Sequence, residues 1–128
     1  PTTRFVMVGG NTIGEGDFDK LVRAKLSELK LESHIKLTDF RSDIPDVMNA
    51  LDVFVMPSYE ENFANVLLEA LASGLPSIGT DSGGTPEILS DCGLLCAPKS
   101  AHSLAEKMLE LATNKNLRTS LSEKARAK

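Results

Sequence analysis

Apolar residues along this chain follow two rhythms: short continuous runs, and longer stretches where they recur every three or four positions. The first run, "RFVMVGG" over 4–10, predicts a buried strand ending in glycines. A helix over 18–31 follows, with Phe18, Val22, Leu26 and Leu29 on one face and Asp17 placed to cap it. "HIKLT" (34–38) predicts a second strand, and "SDIPDVMNAL" (42–51) a short helix that tolerates Pro45 in its first turn. "DVFVMP" (52–57) is largely apolar, as suits a strand covered on both faces. A helix over 61–73 ends before Gly74, "LPSIGT" (75–80) predicts a strand despite its proline, and "DSGGTPEIL" turns into a short helix. "GLLCAP" (93–98) gives a fifth strand. Two amphipathic helices close the chain, lined by Leu104, Met108 and Leu111, then by Leu117 and Leu121. The final "SEKARAK" predicts a solvated or frayed helix end.

Strands alternating with helices at this spacing predict an α/β domain built on a parallel sheet with right-handed crossovers. The 128 residues bound one domain or part of one, long enough for a core without disulfides. A net charge of −4, with 5% aromatic residues and no Trp, argues against a nucleic-acid surface. Cys92 and Cys96 have no second Cys or His pair near them in sequence, and His34 and His102 are isolated. No metal site is expected; the two cysteines read as small apolar side chains in a reducing compartment. No signal peptide or membrane span is visible within these residues, so a cytoplasmic location is expected.

The chemistry concentrates in "PSYEENFANVLLEALASGLP" (57–76). In open α/β sheets ligands bind beyond the carboxyl ends of the strands, and here a strand runs out at Met56 before a helix begins near Glu61. The first amides of a helix have no internal partner and, with the dipole, favour an anion such as phosphate. Phe63, Val66, Leu67, Ala70 and Leu71 fall at the spacing of a buried face, while Asn62, Asn65, Glu69 and Ser73 form a polar stripe. A carboxylate accepts from vicinal hydroxyls, so Glu61 and Glu69 suit a ligand with diols at both ends. Eight residues of helix rise roughly 12 Å. That exceeds the ~5–9.5 Å between the acid and base of a glycoside hydrolase. Plainer roles fit each residue singly: Glu60 and Glu61 as dipole partners, Asn62 and Asn65 as surface residues, Glu69 as a helix Glu facing water.

Taken together, "PSYEENFANVLLEALASGLP", "TDSGGTPEIL" and "GLLCAP" resemble the carboxyl-terminal domain of glycosyltransferase family 4 (group 1), retaining enzymes of the GT-B architecture. The resemblance extends upstream through "IKLTDFRSDIPDVMNALDVFVMP" and covers nearly the whole chain. It implies a Rossmann-like parallel sheet with helices on both faces, and a nucleoside-diphosphate sugar as donor. No cofactor or metal is implied. By position, Glu61 would bond the donor sugar, and the backbone around Asn62, Phe63, Ala64 and Asn65 would meet sugar and diphosphate. Glu69 would hold the ribose hydroxyls. Phe40 and Arg41 would lie near the base, and Gly83 and Gly84 would form the next turn, which an ordinary glycine turn explains equally.

This sequence departs from the family pattern in two ways. Asn62 and Ala64 stand where the family commonly has Gly; Ala64 still permits close approach. The family's earlier strand and helix, with a Gly-Arg and a Lys that neutralise the leaving group, do not precede "RFVMVGG" here. Residues 1–128 are thus expected to be a partial nucleotide-sugar-binding domain lacking its first βα unit, with exposed apolar strand surface and no catalytic group of its own. The acceptor, a glycan, lipid or small molecule, would be bound by a separate amino-terminal domain. The resemblance leaves room for peripheral membrane association of the parent enzyme, and for roles in polysaccharide or glycolipid synthesis. A GT-B sugar-nucleotide epimerase, or a fragment that binds nucleotide sugar without catalysis, are the alternatives. A receiver domain fails because its acidic residues are missing after the first and third strands, and Gly9, Gly10, Gly14 and Gly16 do not space as a dinucleotide fingerprint.

Overall fold

The computed structural model describes residues 3–10, 17–59 and 64–128. They form two compact units, Pro1–Asp43 and Ile44–Lys128. In the first, β1 (Phe5–Val8) pairs in parallel with β2 (Ile35–Thr38), and α1 (Phe18–Glu28) connects them in sequence. Asp17 occupies the N-cap of α1 but bonds no backbone amide; its carboxylate instead pairs with Lys20. Of the apolar face expected on α1 only Leu26 is buried; Val22 is half-buried, and Phe18 and Leu29 are exposed. The expectation that 4–10 forms a buried strand is corrected. All four residues of β1 are exposed, from 36% at Val6 to 44% at Met7. A two-stranded ladder leaves β1 one edge without a neighbour among the described residues, so this apolar strand surface is open.

The second unit holds a three-stranded parallel sheet in the order β3-β4-β5, from β3 (Phe54–Met56), β4 (Ser77–Thr80) and β5 (Gly93–Cys96). Phe54, Val55 and Met56 stand opposite Ser77, Ile78 and Gly79. Ser77 to Thr80 stand opposite Gly93 to Cys96. Alternate residues therefore point to opposite faces, and helices cover both, which is why β3 and β5 read as apolar throughout. One face carries Met56, Phe54 and Leu95 against Leu67 and Leu71 of α3 (Asn65–Ala72), Leu89 of α4 (Thr85–Leu89), and Cys92. The other carries Ile78, Cys96, Val55 and Leu94 against α5 (Ala101–Thr113) and α6 (Lys115–Ala127). A short helix, α2 (Ile44–Asn49), adds Met48 to a third cluster with Ala70 and Leu75.

Two glycines let α4 lie directly on the sheet. A Cβ on Gly79 would fall 2.4 Å from Thr85 Cγ2, and one on Gly93 would fall 2.5 Å from Leu89 Cδ2. Side chains start the last two helices. Ser100 caps α5 by accepting from the Ser103 amide at 3.1 Å, and Asn114 caps α6 by accepting from Leu117 at 3.0 Å. At the end of α3, Gly74 takes φ +72°. Its amide reaches Leu71 O at 2.8 Å, and that of Leu75 reaches Ala70 O at 3.0 Å, a paired closure that needs a left-handed residue. The last turn is solvated, as expected, and stays helical. Helix α6 continues to Ala127, Ala125 is buried, and Lys124 pairs with Asp91.

Candidate functional site

Because β3, β4 and β5 are parallel, their carboxyl ends lie along one edge of the sheet, and the three following loops start there. Hydrogen bonds tie these loops together. The Asp81 amide donates to Cys96 O at 2.8 Å, joining the loop after β4 to the last residue of β5. The Ser82 hydroxyl donates to Tyr59 O at 2.5 Å, joining the loops after β4 and β3. Lys99, after β5, places its ammonium 5.8 Å from the centroid of the Tyr59 ring.

Helix α3 leaves this edge, but it starts at Asn65, later than the predicted 61–73. Ala64 is its N-cap, with φ −86° and ψ 80°, outside the helical region. The estimated 12 Å rise between Glu61 and Glu69 assumed one continuous helix and does not hold. Glu61, Asn62 and Phe63 lie outside the described residues. Ala64 offers no side-chain acceptor; the Leu67 amide donates to Ala64 O at 3.0 Å, and the amides of Asn65 and Val66 have no acceptor among the described residues. Ala64 itself is buried, at 3% exposure.

On α3 the two expected faces separate, with one correction. Leu67, Ala70 and Leu71 are buried, but Val66 is 40% exposed and belongs to the open side. Asn65 and Glu69, one helical turn apart, are both exposed. Neither side chain has a hydrogen-bond or ion-pair partner among the described residues. Ser73, the next residue on that stripe, donates its hydroxyl to the Glu69 carbonyl at 3.0 Å and leaves the carboxylate open.

The turn residues divide. Gly83 has φ +55°, the left-handed conformation that accounts for a glycine there, and Gly84 is the N-cap of α4 with φ −82°. Arg41 lies in the first unit, its guanidinium forked onto the Asp43 carboxylate, with Nε 2.8 Å from Oδ1. That bond holds the Asp43 carboxyl below the usual carboxylate range. Phe40 beside it is 83% exposed. The sequence reading missed Tyr59, Ser82 and Lys99. Tyr59 is the chain's one tyrosine, and a lone aromatic beside a strand end was the available signal.

Cys92 and Cys96 are both buried and unpaired. Burial pushes the Cys92 thiol up. Among the described residues no three His, Cys, Asp or Glu side chains converge as a metal site would require, and no helix is long and apolar enough to cross a membrane.

The family model described as "Glycosyl transferases group 1" matches residues 1–128. Among curated relatives, N-acetyl-alpha-D-glucosaminyl L-malate synthase of Bacillus anthracis is 28% identical over 89% of this chain and 30% of its own length. The N,N'-diacetylbacillosaminyl-diphospho-undecaprenol alpha-1,3-N-acetylgalactosaminyltransferase of Campylobacter jejuni is 32% identical over 94% of this chain and 31% of its own. Among solved structures, Anabaena HepE in complex with UDP superposes with a TM-score of 0.93 at 28% identity, covering 99% of this chain and 36% of that one. The same protein is also known in complex with UDP-glucose. This chain therefore spans about a third of the length of these relatives. Its α/β architecture and the family match over its whole length agree: the chain belongs to the group 1 glycosyltransferases.

Proposed function

We propose that this chain is the donor-binding part of a retaining glycosyltransferase of family 4. Its parent enzyme transfers a sugar from a UDP-linked donor to an acceptor hydroxyl. The observation that carries the reading is the unpartnered pair Asn65 and Glu69 on the open face of α3, a helix buried on its opposite face and rising from a shared strand edge. The family match and the UDP and UDP-glucose complexes of a close structural neighbour support it.

In this reading Glu69 accepts from the ribose hydroxyls, and the uncapped first turn of α3 faces the diphosphate. Glu61 accepts from hydroxyls of the sugar, and the backbone around Asn62, Phe63 and Ala64 approaches it. Arg41, Gly83 and Gly84 are weaker contacts, since Arg41 is already engaged by Asp43 and Gly83 is explained by its turn. The bond from the anomeric carbon to the diphosphate breaks, and its electron pair leaves with the phosphate oxygen. The acceptor oxygen bonds the same carbon on the same face and gives up its proton. Helix amides and basic residues outside this chain stabilise the departing charge electrostatically, without a metal ion. The parent enzyme is read as cytoplasmic, and its acceptor, a glycan, lipid or small molecule, is held by another domain.

The test is donor binding to the full-length protein, with UDP- and GDP-sugars compared. Loss of hydrogen bonds to a charged group costs about 1.5–3 kcal/mol, so Glu69→Ala should weaken UDP-sugar binding about ten- to hundredfold. Unchanged affinity would remove the ribose role. Retention is read separately, from the anomeric configuration of the product by NMR.

A further inference from the structure

Tyr59 is held by two loops although it is 58% exposed. Its carbonyl accepts from the Ser82 hydroxyl at 2.5 Å, and its ring lies 5.8 Å from Lys99 Nζ. These contacts, and not burial, fix where it sits. Lys99 pairs with no carboxylate among the described residues, so the ring is the one partner its ammonium has there. Its backbone adopts φ +55°, which a lysine takes up less readily than glycine. The next residue, Ser100, caps α5, so the reversal carrying Lys99 is anchored on a thirteen-residue helix.

Tyr59 stands in the connection between β3 and α3, ahead of the Ala64 N-cap. We propose that Lys99 is a positioning residue for the donor site: by clasping the Tyr59 ring it holds Tyr59 at the strand edge from which α3 rises. Ser82 secures the same residue from its backbone side. The inference rests on the donor-binding reading for its consequence, but the clasp itself can be measured without a donor.

The experiment uses the full-length protein with Lys99→Met, Lys99→Arg, Lys99→Gly, Tyr59→Leu and the double variant Lys99→Met/Tyr59→Leu. A cation over an exposed ring corresponds to about a two- to fivefold effect on an equilibrium. Lys99→Met and Tyr59→Leu should each raise the donor KM by about that factor, leaving the acceptor KM unchanged. The double variant should be no worse than either single one, and Lys99→Arg should restore the wild-type value. Lys99→Gly should raise the donor KM while its Tm stays level or rises, because the left-handed backbone is relieved. A merely structural lysine would move KM and Tm together. Additive single effects, failure of the arginine rescue, or an unchanged KM in Lys99→Met would each overturn the proposal. Hydrogen exchange reads the clasp directly: the amides of Tyr59, Asn65 and Val66 should exchange faster in Lys99→Met, and equal rates would also overturn it. Glu69→Ala run alongside separates the two readings, since intact donor binding in that variant counts against the donor assignment and leaves the exchange result to decide the clasp.

Discussion

Gly79→Ala tests the packing that brings the β4 loop to the site. The new methyl would lie 2.4 Å from Thr85 Cγ2 and 3.1 Å from Leu89 Cδ1. Thr85 is 1% exposed and Leu89 is fully buried, so neither can swing into solvent. Overpacking a close-packed site costs about 1–3 kcal/mol. Replacing a strand glycine returns roughly 0.5–1 kcal/mol by restricting the unfolded chain. The net expectation is a loss of about 1–2 kcal/mol. With a urea dependence of ~2 kcal/mol per M, the unfolding midpoint should fall by about 0.5–1 M. Thr85→Ser removes the atom at 2.4 Å and should recover most of that loss in the double variant, though Ser alone costs something at a buried position. The comparison is urea unfolding of the protein carrying each variant, with the coupling taken from the double-mutant cycle. Wild-type stability in Gly79→Ala, or strictly additive effects with Thr85→Ser, would refute the claim that α4 sits on the sheet through this glycine.

Two titrations supply further tests. The Cys92 thiol is pushed up by burial, so the native state keeps its proton at pH values where the unfolded thiol, near ~8.5, has lost it. Its contribution to stability is full below the unfolded pKa and falls as pH rises above it. Cys92 should therefore resist alkylation until the protein unfolds, and Cys92→Ala should flatten the alkaline loss of Tm; rapid labelling of the native protein would contradict this. Asp43 is depressed by its bond from Arg41, so Arg41→Gln should raise its carboxyl titration toward the ordinary value in NMR. The stabilisation it reports is present above the unfolded pKa and lost as pH falls through the folded one. An Asp43 titration indifferent to Arg41 would mean the pair does not persist in solution.

Every predicted strand and helix exists, because periodicity reports which residues can be buried on a helix or a sheet. Boundaries shrank where local chemistry overrode the pattern. The third strand was expected over 52–57 and spans Phe54–Met56, and the helix after it begins at Asn65, where Ala64 leaves the helical region. Burial was harder to read than element type. The apolar run Phe5–Val8 suggested a buried strand, yet its exposure depends on how many strands the ladder has, and four letters do not carry that. Val66 fits the helical spacing of a buried residue and still lies on the open side. Of the site, the stripe containing Asn65 and Glu69 was legible because it is local to one helix. Tyr59, Ser82 and Lys99 were not, since they meet only when three loops far apart in sequence converge at the strand ends.

The late start of α3 changes what the Glu-x7-Glu spacing means. Were the helix continuous from residue 61, its pitch alone would set the distance between the carboxylates of Glu61 and Glu69. With Ala64 as N-cap, α3 bears Glu69, and Glu61 precedes the helix in sequence. Under the proposed donor-binding roles, the separation between the two carboxylates is not set by the pitch of α3 alone. Serine or aspartate at the N-cap would stabilise α3 by about 1 kcal/mol, but its side chain would occupy the amides an anion needs. Ala64 forgoes that cap and is itself buried, at 3% exposure. The contacts that hold Tyr59 from either side, from Ser82 and from Lys99, are the order the described residues show ahead of that N-cap.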